Sequence, residues 1–287
     1  MKQIECDKLF DHKFWTKINP NLHVDDKAFQ KSQSVLNLSA DSIKKLGDDL
    51  LEEGYFQSAP VQWELPMSEM AETVTKFFDM NWPEAFVFVY DEFFLLPYKL
   101  SGILSHALGE DFKQLPDFWA WYLDHLRNQS GWAPHRDKGI DSLMSDGKPR
   151  SLTIWIPLTD VTPLNGCIYL VPAQWDPYFI NQENVTKFEY QNIRALPAKA
   201  GSVLAWNQAV FHWGGKSSRK APNPRISIAF EFQRGDIPPY NEPLLSVYPL
   251  PDLRFRLKLI AKQIMQYKHM YKLRKDLENI VQELLKL

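Results

Sequence analysis

The stretch SLTIWIPLTD, residues 151–160, decides the fold class of this 287-residue chain. It is short and rich in β-branched and aromatic residues, a composition that is typical of a β-strand. Similar stretches, bounded by Gly, Pro, Asn or Asp, occur at residues 85–94, 118–126, 166–172, 202–213 and 225–233. Short strands separated by turn residues predict a mainly β protein, an antiparallel sandwich or barrel of the jelly-roll type.

Helical signals flank this β-rich centre. Ser39 or Asp41 can cap a helix that ends at Gly54, Ser68 can open a second one, and a third is predicted over residues 99–108. After Asp252, apolar residues recur at steps of three and four, which predicts one long helix. That helix either packs against the sheet or pairs with a second copy of the chain in a homodimer.

We therefore predict one domain over residues 1–287, because jelly rolls commonly reach this length as a single domain. Within it we place a helical N-terminal region at 1–84, a jelly-roll catalytic core at 85–250 and a C-terminal helix at 251–287.

Composition excludes several classes of protein. The net charge is −2, from 33 basic and 35 acidic residues, which argues against a nucleic-acid partner. The start MKQIECDKLF has no apolar signal-peptide region, and no apolar run reaches the roughly 18 residues of a membrane span. The two cysteines, Cys6 and Cys167, fit a reducing compartment. We expect a cytoplasmic protein that acts on a small molecule and has no membrane partner.

Two His-x-Asp triplets compete as a metal site. His23-Val24-Asp25 lies in a polar stretch with no predicted strand nearby, so we interpret it as surface. His135 and Asp137 lie between a predicted strand and a loop, and His212 lies near the end of another predicted strand. Two histidines and one carboxylate leave three metal positions open, the arrangement that non-haem Fe(II) oxygenases use.

Arg225 adds an anion-binding hypothesis. It opens the strand 225–233, and Ser227 lies two positions later on the same face of that strand. An arginine that points into a β core is costly unless an anion answers it. A dicarboxylate could bind the guanidinium bidentately, with a further bond from the Ser227 hydroxyl. The alternative is an Arg225 that points outward into a surface ion pair.

These features together resemble the phytanoyl-CoA dioxygenase family of Fe(II)/2-oxoglutarate oxygenases. The resemblance covers roughly residues 118 to 233 and includes His135-x-Asp137, "NGCIYLVPA", "GSVLAWNQAVFHWGG" and Arg225-x-Ser227. It implies a double-stranded β-helix with His135, Asp137 and His212 as iron ligands. It also implies that Arg225 and Ser227 bind the far carboxylate of 2-oxoglutarate.

The resemblance further implies a reaction in which 2-oxoglutarate and O2 are converted to succinate and CO2 while a substrate C–H bond is hydroxylated. Thr153 and Trp155 share a strand face after the His135 loop, so we place Thr153 with the cosubstrate and Trp155 in the substrate pocket. Many members of the family read Pro-Gly-Ser-His at a pocket-lining position where this chain has Pro172-Ala173-Gln174-Trp175, which makes Gln174 and Trp175 pocket candidates as well.

The substrate itself is less well defined by the sequence. Basic residues follow both ligand segments, which favours a small anionic substrate: Lys138, Lys148, Arg150, Lys216, Arg219 and Lys220. The segment 175–198 is long for a hairpin and is either a lid or a surface insertion. A cupin-like hydrolase or isomerase using Zn(II) or Mn(II), and a non-catalytic jelly-roll binding protein, stay open as alternatives.

Overall fold

A computed structural model of the protein describes residues 6–127, 129–180, 188–271 and 273–287. In these residues the strands form two antiparallel sheets, one with the order β1-β6-β3-β8-β2 and one with the order β5-β4-β7. The strands are β1 (Tyr55–Gln57), β2 (Lys113–Leu123), β3 (Ser151–Pro157), β4 (Ile168–Val171), β5 (Arg194–Leu196), β6 (Leu204–Asn207), β7 (Phe211–Gly214) and β8 (Arg225–Gln233). The predicted jelly-roll arrangement of two facing antiparallel sheets is confirmed.

Helices cover one side of the larger sheet. They are α1 (His12–Ile18), α2 (Lys27–Ser32), α3 (Ala40–Glu52), α4 (Met67–Asp79), α5 (Asp91–Lys99), α6 (Ser101–Leu108), α7 (Leu253–Gln266) and α8 (Lys275–Leu284). The Ser39 side chain caps α3, as predicted, by accepting a hydrogen bond from the backbone N–H of Ser42. One apolar core joins residues of the N-terminal helices, the large sheet and the C-terminal helices. None of the helices among the described residues is long and apolar enough to cross a membrane.

The prediction of a strand at residues 85–94 was wrong. The segment forms a 3₁₀ helix, Glu84–Val89, and then the first turn of α5. Every residue from Ala85 to Val89 is buried, so the segment is enclosed on all sides and does not show the alternation of a half-exposed strand. A short, continuous apolar run has no periodicity that separates a buried helix from a buried strand.

The predicted single strand 202–213 is divided in two. A turn after Asn207, in which the Val210 N–H bonds to the Asn207 carbonyl at 3.1 Å, separates β6 from β7. β6 belongs to the larger sheet and β7 to the smaller one. The chain therefore crosses from one sheet to the other immediately before His212.

The C-terminal segment is also not one continuous helix. α7 ends at Gln266, a 3₁₀ turn occupies Lys268–Met270, and α8 packs back against α7. The sequence explains the break. Apolar residues otherwise recur every three or four positions, but Tyr271 and Leu277 are six positions apart, which interrupts the helical period. The apolar positions of both helices are buried inside the chain, among them Leu257, Ile264 and Ile280. The face that suggested a homodimer is therefore already used within one chain.

The register of the large sheet determines which side chains face the smaller sheet. Trp119 of β2 and Trp155 of β3 both pair with Ala229 of β8, and Thr153 pairs with Glu231. Directly paired residues share a face of an antiparallel sheet. These side chains thus form an inner layer between the two sheets, while the alternate positions, such as Phe118 and Phe230, pack against the helices.

A buried ion pair fastens the terminal segments to the core. Arg256 of α7 lies 2.5 Å from Asp91 at the start of α5, and both side chains are fully buried. Asp91 also accepts hydrogen bonds from the backbone N–H groups of Asp25 and Asp26, at 3.0 and 2.8 Å. Arg256 donates to the carbonyls of Val89 and Pro251. One carboxylate and one guanidinium therefore hold together the N-terminal segment, α5 and α7.

Replacing Arg256 with methionine is expected to lower the free energy of unfolding by about 3–5 kcal/mol, because Asp91 stays buried without its partner. Chemical denaturation followed by circular dichroism measures this loss. Lys44→Met, which removes an exposed pair with Asp48, is the control and should cost about 1 kcal/mol or less. Equal effects of the two variants would contradict the structural role given to Arg256.

Candidate metal centre

The segment after β2 runs along β7 and brings three potential metal ligands together. The backbone N–H of His135 donates to the carbonyl of His212 at 3.0 Å, and that of His212 donates to the carbonyl of His135 at 2.9 Å. This reciprocal pair makes the His135 segment an added piece of the smaller sheet. Asp137, two residues on, is thereby placed beside both imidazoles.

The three side chains have the geometry of a metal site. One ligand atom each from His135, Asp137 and His212 lies within 4.8 Å of the others. Oδ1 of Asp137 is 3.2 Å from Nε2 of His135 and 3.6 Å from Nε2 of His212. A single divalent ion could bind between them and keep three positions open for other ligands.

Hydrogen bonds behind the imidazoles leave the correct nitrogen atoms free. The Nδ1 atom of His135 lies 2.7 Å from the Ala133 carbonyl, and the Nδ1 atom of His212 lies 3.0 Å from the Val210 carbonyl. A carbonyl only accepts, so each Nδ1 carries the proton and each Nε2 presents its lone pair to the site. Such contacts orient the ligand rings and raise their basicity.

The Thr153 side chain holds one oxygen of the Asp137 carboxylate by a hydrogen bond. Its hydroxyl donates to Oδ2 of Asp137 at 2.8 Å, and the indole N–H of Trp206 donates to the same oxygen at 3.1 Å. Gln208 in turn donates to the Thr153 hydroxyl at 3.1 Å. Oδ1 is left to face the imidazoles. Thr153 lines the cavity, but its hydroxyl is already committed to the carboxylate rather than to a cosubstrate.

The electrostatics favour the metal-binding protonation states of His212 and Asp137, while Asp137 favours the protonated form of His135. Burial lowers the pKa of His212 to about 4, so this imidazole is neutral at physiological pH. Burial opposes the charge of His135 too, but the hydrogen bond and charge of Asp137 raise the pKa of His135. Although burial disfavours its charged form, the imidazoles and the Thr153 hydroxyl hold the pKa of Asp137 well below its usual range. The site therefore presents a carboxylate to a cation.

A cavity of about 270 Å³ lies between the sheets at these ligands. Its wall is mostly aromatic, and its charged residues besides Asp137 are Lys138, Arg225 and Glu231. The lining residues are Trp119, Trp121, Trp132, His135, Asp137, Lys138, Thr153, Trp155, Ile168, Trp206, His212, Gly214, Arg225, Ala229, Glu231 and Tyr267.

Arg225 points inward, which rules out the alternative of a surface ion pair. Its side chain is 2% exposed, lines the cavity and lies with Cζ 5.7 Å from the centre of the Trp155 ring. Nη1 donates to the Gly166 carbonyl at 2.6 Å, while Nε has no partner among the described residues. Burial lowers the pKa of Arg225 to about 10, which still leaves it charged at neutral pH. Within the described part of the chain no carboxylate forms an ion pair with this guanidinium.

Ser227 lies on the same inner face as Arg225 but deeper. It is fully buried, pairs with Trp121 across the sheet, and its hydroxyl has no hydrogen-bond partner among the described residues. It is not one of the residues that line the cavity. The predicted pair Arg225 and Ser227 is thus adjacent in space, with only the arginine on the cavity wall.

Two glycines that the sequence analysis did not single out make room for Arg225. A Cβ atom added to Gly131 or to Gly214 would lie 3.2 Å from a guanidinium nitrogen and under 3.0 Å from the backbone of the other glycine. The two chain segments can therefore cross closely above the arginine only because neither has a side chain there. In the sequence, this close approach is indicated by a glycine directly before Trp132 and another directly after Trp213.

Two predicted pocket residues lie outside the cavity. Gln174 is exposed and bonds to Glu53 at 2.6 Å, and Trp175 is 50% exposed. Neither lines the cavity wall, whereas Trp155 does, as predicted. Within the proposed lid, 175–198, residues 194–196 form β5 of the smaller sheet, while residues 181–187 lie outside the described part of the chain.

The second His-x-Asp triplet has a structural role. His23 stacks on Phe29 with ring centres 3.7 Å apart, and its Nδ1 lies 2.7 Å from the buried carboxylate of Glu92. It lies outside the cluster of potential metal ligands. The interpretation that this triplet is not a metal site is consistent with that geometry.

Of the six basic residues predicted near the site, only Lys138 lines the cavity. Its Nζ forms an ion pair with Glu231, whose carboxylate is 7% exposed. Burial raises the pKa of Glu231 to about 7, while the adjacent Lys138 ammonium opposes that rise. Lys148, by contrast, lines a separate groove beside α3 and α6. On the cavity wall, the positive charge of Lys138, one of the six on which the prediction of an anionic substrate depended, is therefore paired with Glu231.

Comparison with known proteins agrees with this geometry. Residues 38–221 match the family model described as phytanoyl-CoA dioxygenase (PhyH). No curated protein sequence matches the chain.

Similar solved structures share the fold at low sequence identity. The non-heme α-ketoglutarate-dependent epimerase SnoN from nogalamycin biosynthesis is 16% identical over 75% of this chain and 95% of that one, with a TM-score of 0.51. The nickel complex of the non-heme monooxygenase ThoJ is 12% identical over 82% and 99%, with a TM-score of 0.56. HygX from Streptomyces hygroscopicus, with nickel and 2-oxoglutarate bound, is 13% identical over 70% and 88%, with a TM-score of 0.51.

Arg136, between the two ligands of the triplet, anchors the segment from behind. Its Nη2 lies 2.7 Å from Asp176, with both side chains 3% exposed or less, and its Nη1 donates to the Ala209 carbonyl at 2.6 Å. Its guanidinium also lies over the Phe211 ring. Arg136 thus joins the His135 segment to the turn that precedes His212, which fixes the distance between the two halves of the site.

Replacing Arg136 with methionine should weaken Co(II) binding about 10- to 100-fold, the usual cost of losing a contact that orients metal ligands. Isothermal titration calorimetry of the folded variant measures the affinity. Arg256→Met is the matched control, because it also breaks a buried arginine–aspartate pair but far from the ligands. If both variants lose stability and neither loses Co(II) affinity, Arg136 has no positioning role.

Proposed function

Because the chain belongs to the phytanoyl-CoA dioxygenase family, we propose that it is an Fe(II)- and 2-oxoglutarate-dependent oxygenase that hydroxylates a C–H bond of a small organic substrate. One observation carries the proposal: a buried arginine without a carboxylate partner among the described residues shares a cavity with two histidines and an aspartate. A metal-dependent hydrolase or isomerase would need the ligands but not Arg225. A non-catalytic binding protein would need neither.

In this proposal His135, Asp137 and His212 hold the iron. The lone pairs of both Nε2 atoms and Oδ1 of Asp137 converge, and hydrogen bonds from behind keep each donor in place. Bound iron would supply the activation of O2 that couples decarboxylation of 2-oxoglutarate, to succinate and CO2, with oxidation of the substrate. The family and the metal-bound neighbours support iron, 2-oxoglutarate and O2 as the cofactor and cosubstrates.

Arg225 would bind the far carboxylate of 2-oxoglutarate. An uncompensated guanidinium in a buried site is costly, and a carboxylate restores both the charge balance and the missing hydrogen bonds. The unpartnered Nε of Arg225 is a group that such an anion could satisfy, and the Ser227 hydroxyl, also without a partner among the described residues, lies beside it off the cavity wall. The glycines that leave space around the guanidinium support the same role.

Hydroxylation is the outcome that the site supports best. In this proposal Asp137 fills the third protein position on the metal, so a halide anion would have to displace a tethered carboxylate to take that position. The aromatic wall excludes water and holds the apolar part of a substrate close to the metal ligands. Similar structures include an epimerase and a carbocyclase, so the substrate pose decides the product within this fold. Two free thiols support a reducing, cytoplasmic setting.

Anaerobic addition of Fe(II) and then 2-oxoglutarate should produce the weak visible charge-transfer band of a metal-bound 2-oxo acid. The band should disappear in His135→Ala, Asp137→Ala and His212→Ala, because two remaining ligands hold iron poorly. His23→Ala is the control and should retain it, since that ring lies outside the ligand cluster. A wild-type protein that binds Fe(II) but develops no band would refute the oxygenase assignment.

Replacing Arg225 with alanine should raise the apparent KM for 2-oxoglutarate strongly while metal affinity stays unchanged. Loss of a buried, charge-assisted contact costs about 2–5 kcal/mol in binding. Succinate formation at varied 2-oxoglutarate concentrations, together with Co(II) titration, separates the two effects. An unchanged KM would remove Arg225 from the cosubstrate site.

A further inference from the structure

The cavity wall contains a second pair of charges that neither the metal nor the cosubstrate uses. Lys138 and Glu231 line the cavity and are in direct contact through Nζ and Oε2. Arg225 and Glu231 share a face of β8, and their backbone positions are about 20 Å apart along the strand at 3.3 Å per residue. The small side chain of Ala229 separates the two ends of the cavity on this strand.

The Lys138–Glu231 end lies at the level of the metal ligands. Glu231 pairs across the sheet with Thr153, whose hydroxyl bonds to Asp137, and Thr153 also pairs with Trp206, which bonds to the same carboxylate. If 2-oxoglutarate extends from the metal to Arg225, as proposed above, the space beside Glu231 is left for the substrate. The inference therefore rests on the proposed function.

Charges cancel throughout the loaded cavity. A divalent metal and the dianion of 2-oxoglutarate offset each other, Asp137 offsets Arg225, and Glu231 offsets Lys138. A charged substrate group would thus meet no net opposite charge and would have to separate the buried Lys138–Glu231 pair, which is costly. A neutral group that both donates and accepts hydrogen bonds can contact the ammonium and the carboxylate from the cavity side while the pair stays intact, and so avoids that cost.

The remaining surface of this end is aromatic. Trp119 and Trp132 both line the cavity, and Tyr267 of the C-terminal segment packs against their rings at 5.4 and 6.2 Å. The Tyr267 hydroxyl is occupied by Asp117, but the indole N–H of Trp119 is buried and has no partner among the described residues. Trp119 pairs with Ala229, the neighbour of Glu231 on the same face, so it supplies one more donor near the pair.

We infer that this end of the cavity binds an uncharged, hydroxyl-bearing carbon ring or chain. Its hydroxyl donates to Glu231 and accepts from Lys138 or from the Trp119 indole, and its C–H faces lie against the aromatic wall. Glu231 and Lys138 are then the residues that determine substrate specificity. The pairing would also hold the segment that follows Asp137, so the test must separate selectivity from simple structural support.

Three ring compounds that differ only in their polar group serve as probes: cyclohexanol, cyclohexanecarboxylate and cyclohexylamine. Each is titrated anaerobically into protein loaded with Fe(II) and 2-oxoglutarate, all at one pH. The perturbation of the charge-transfer band gives the dissociation constant of each probe. The wild-type protein should bind cyclohexanol most tightly.

Single substitutions should invert this preference. Glu231→Gln leaves the Lys138 charge uncompensated and should shift the ratio of dissociation constants about tenfold or more toward cyclohexanecarboxylate. Lys138→Met leaves Glu231 unpaired and should shift the ratio by a similar factor toward cyclohexylamine. The double variant is neutral again and should return to cyclohexanol, which keeps the test valid if one single variant fails to fold.

Lys199→Met is the control, since it breaks an exposed pair with Asp160 and should keep the wild-type order. A uniform loss of all three probes in both single variants would mean that the pair only supports the ligand segment, and it would overturn the inference. A wild-type preference for a charged probe would overturn it as well. Absence of the band before any probe is added would instead refute the proposed function.

Discussion

The site depends on the two reciprocal backbone hydrogen bonds between His135 and His212. They add an irregular segment to the edge of β7 and so bring ligands that are 77 residues apart in sequence into one cluster. Backbone pairing fixes both imidazoles relative to the sheet, and the side-chain hydrogen bonds then only have to set rotation and tautomer. Arg136 and Asp137 point to opposite sides of this segment, one to the anchor and one to the site.

Three buried arginines fall into two groups, those that pair with an aspartate and the one that faces the cavity. Arg256 and Arg136 each have an aspartate within 2.7 Å, and each joins elements that are distant in sequence. Arg225 has no such partner among the described residues, and it is the one of the three that faces the cavity. The same physical cost, desolvation of a guanidinium, is offset by an aspartate of the protein in two cases, and in the third we propose that a ligand offsets it. That contrast is the reason to assign Arg225 to cosubstrate binding.

Much of the site was open to prediction because it follows strand alternation. Arg225, Ser227 and Glu231 are separated by even numbers of residues and therefore share a face, although only the first two were named in advance. The predictions failed where the local sequence pattern is compatible with more than one structure. Residues 85–94 form a buried apolar run without periodicity, and Trp175 follows a strand but turns outward. Both depend on what the rest of the chain places around them.

The sequence by itself predicted the two-sheet fold and the three residues that cluster as potential metal ligands, because both follow from residue type and short-range period, but it left open whether Arg225 points inward. Only the tertiary structure decided that Glu231 pairs with Lys138 and that Tyr267 lines the cavity. These contacts join β8 to a loop and the C-terminal segment to the sheet. Charge and burial are properties of a position in space, so a list of basic residues along the chain cannot tell which of them stays free to meet a substrate.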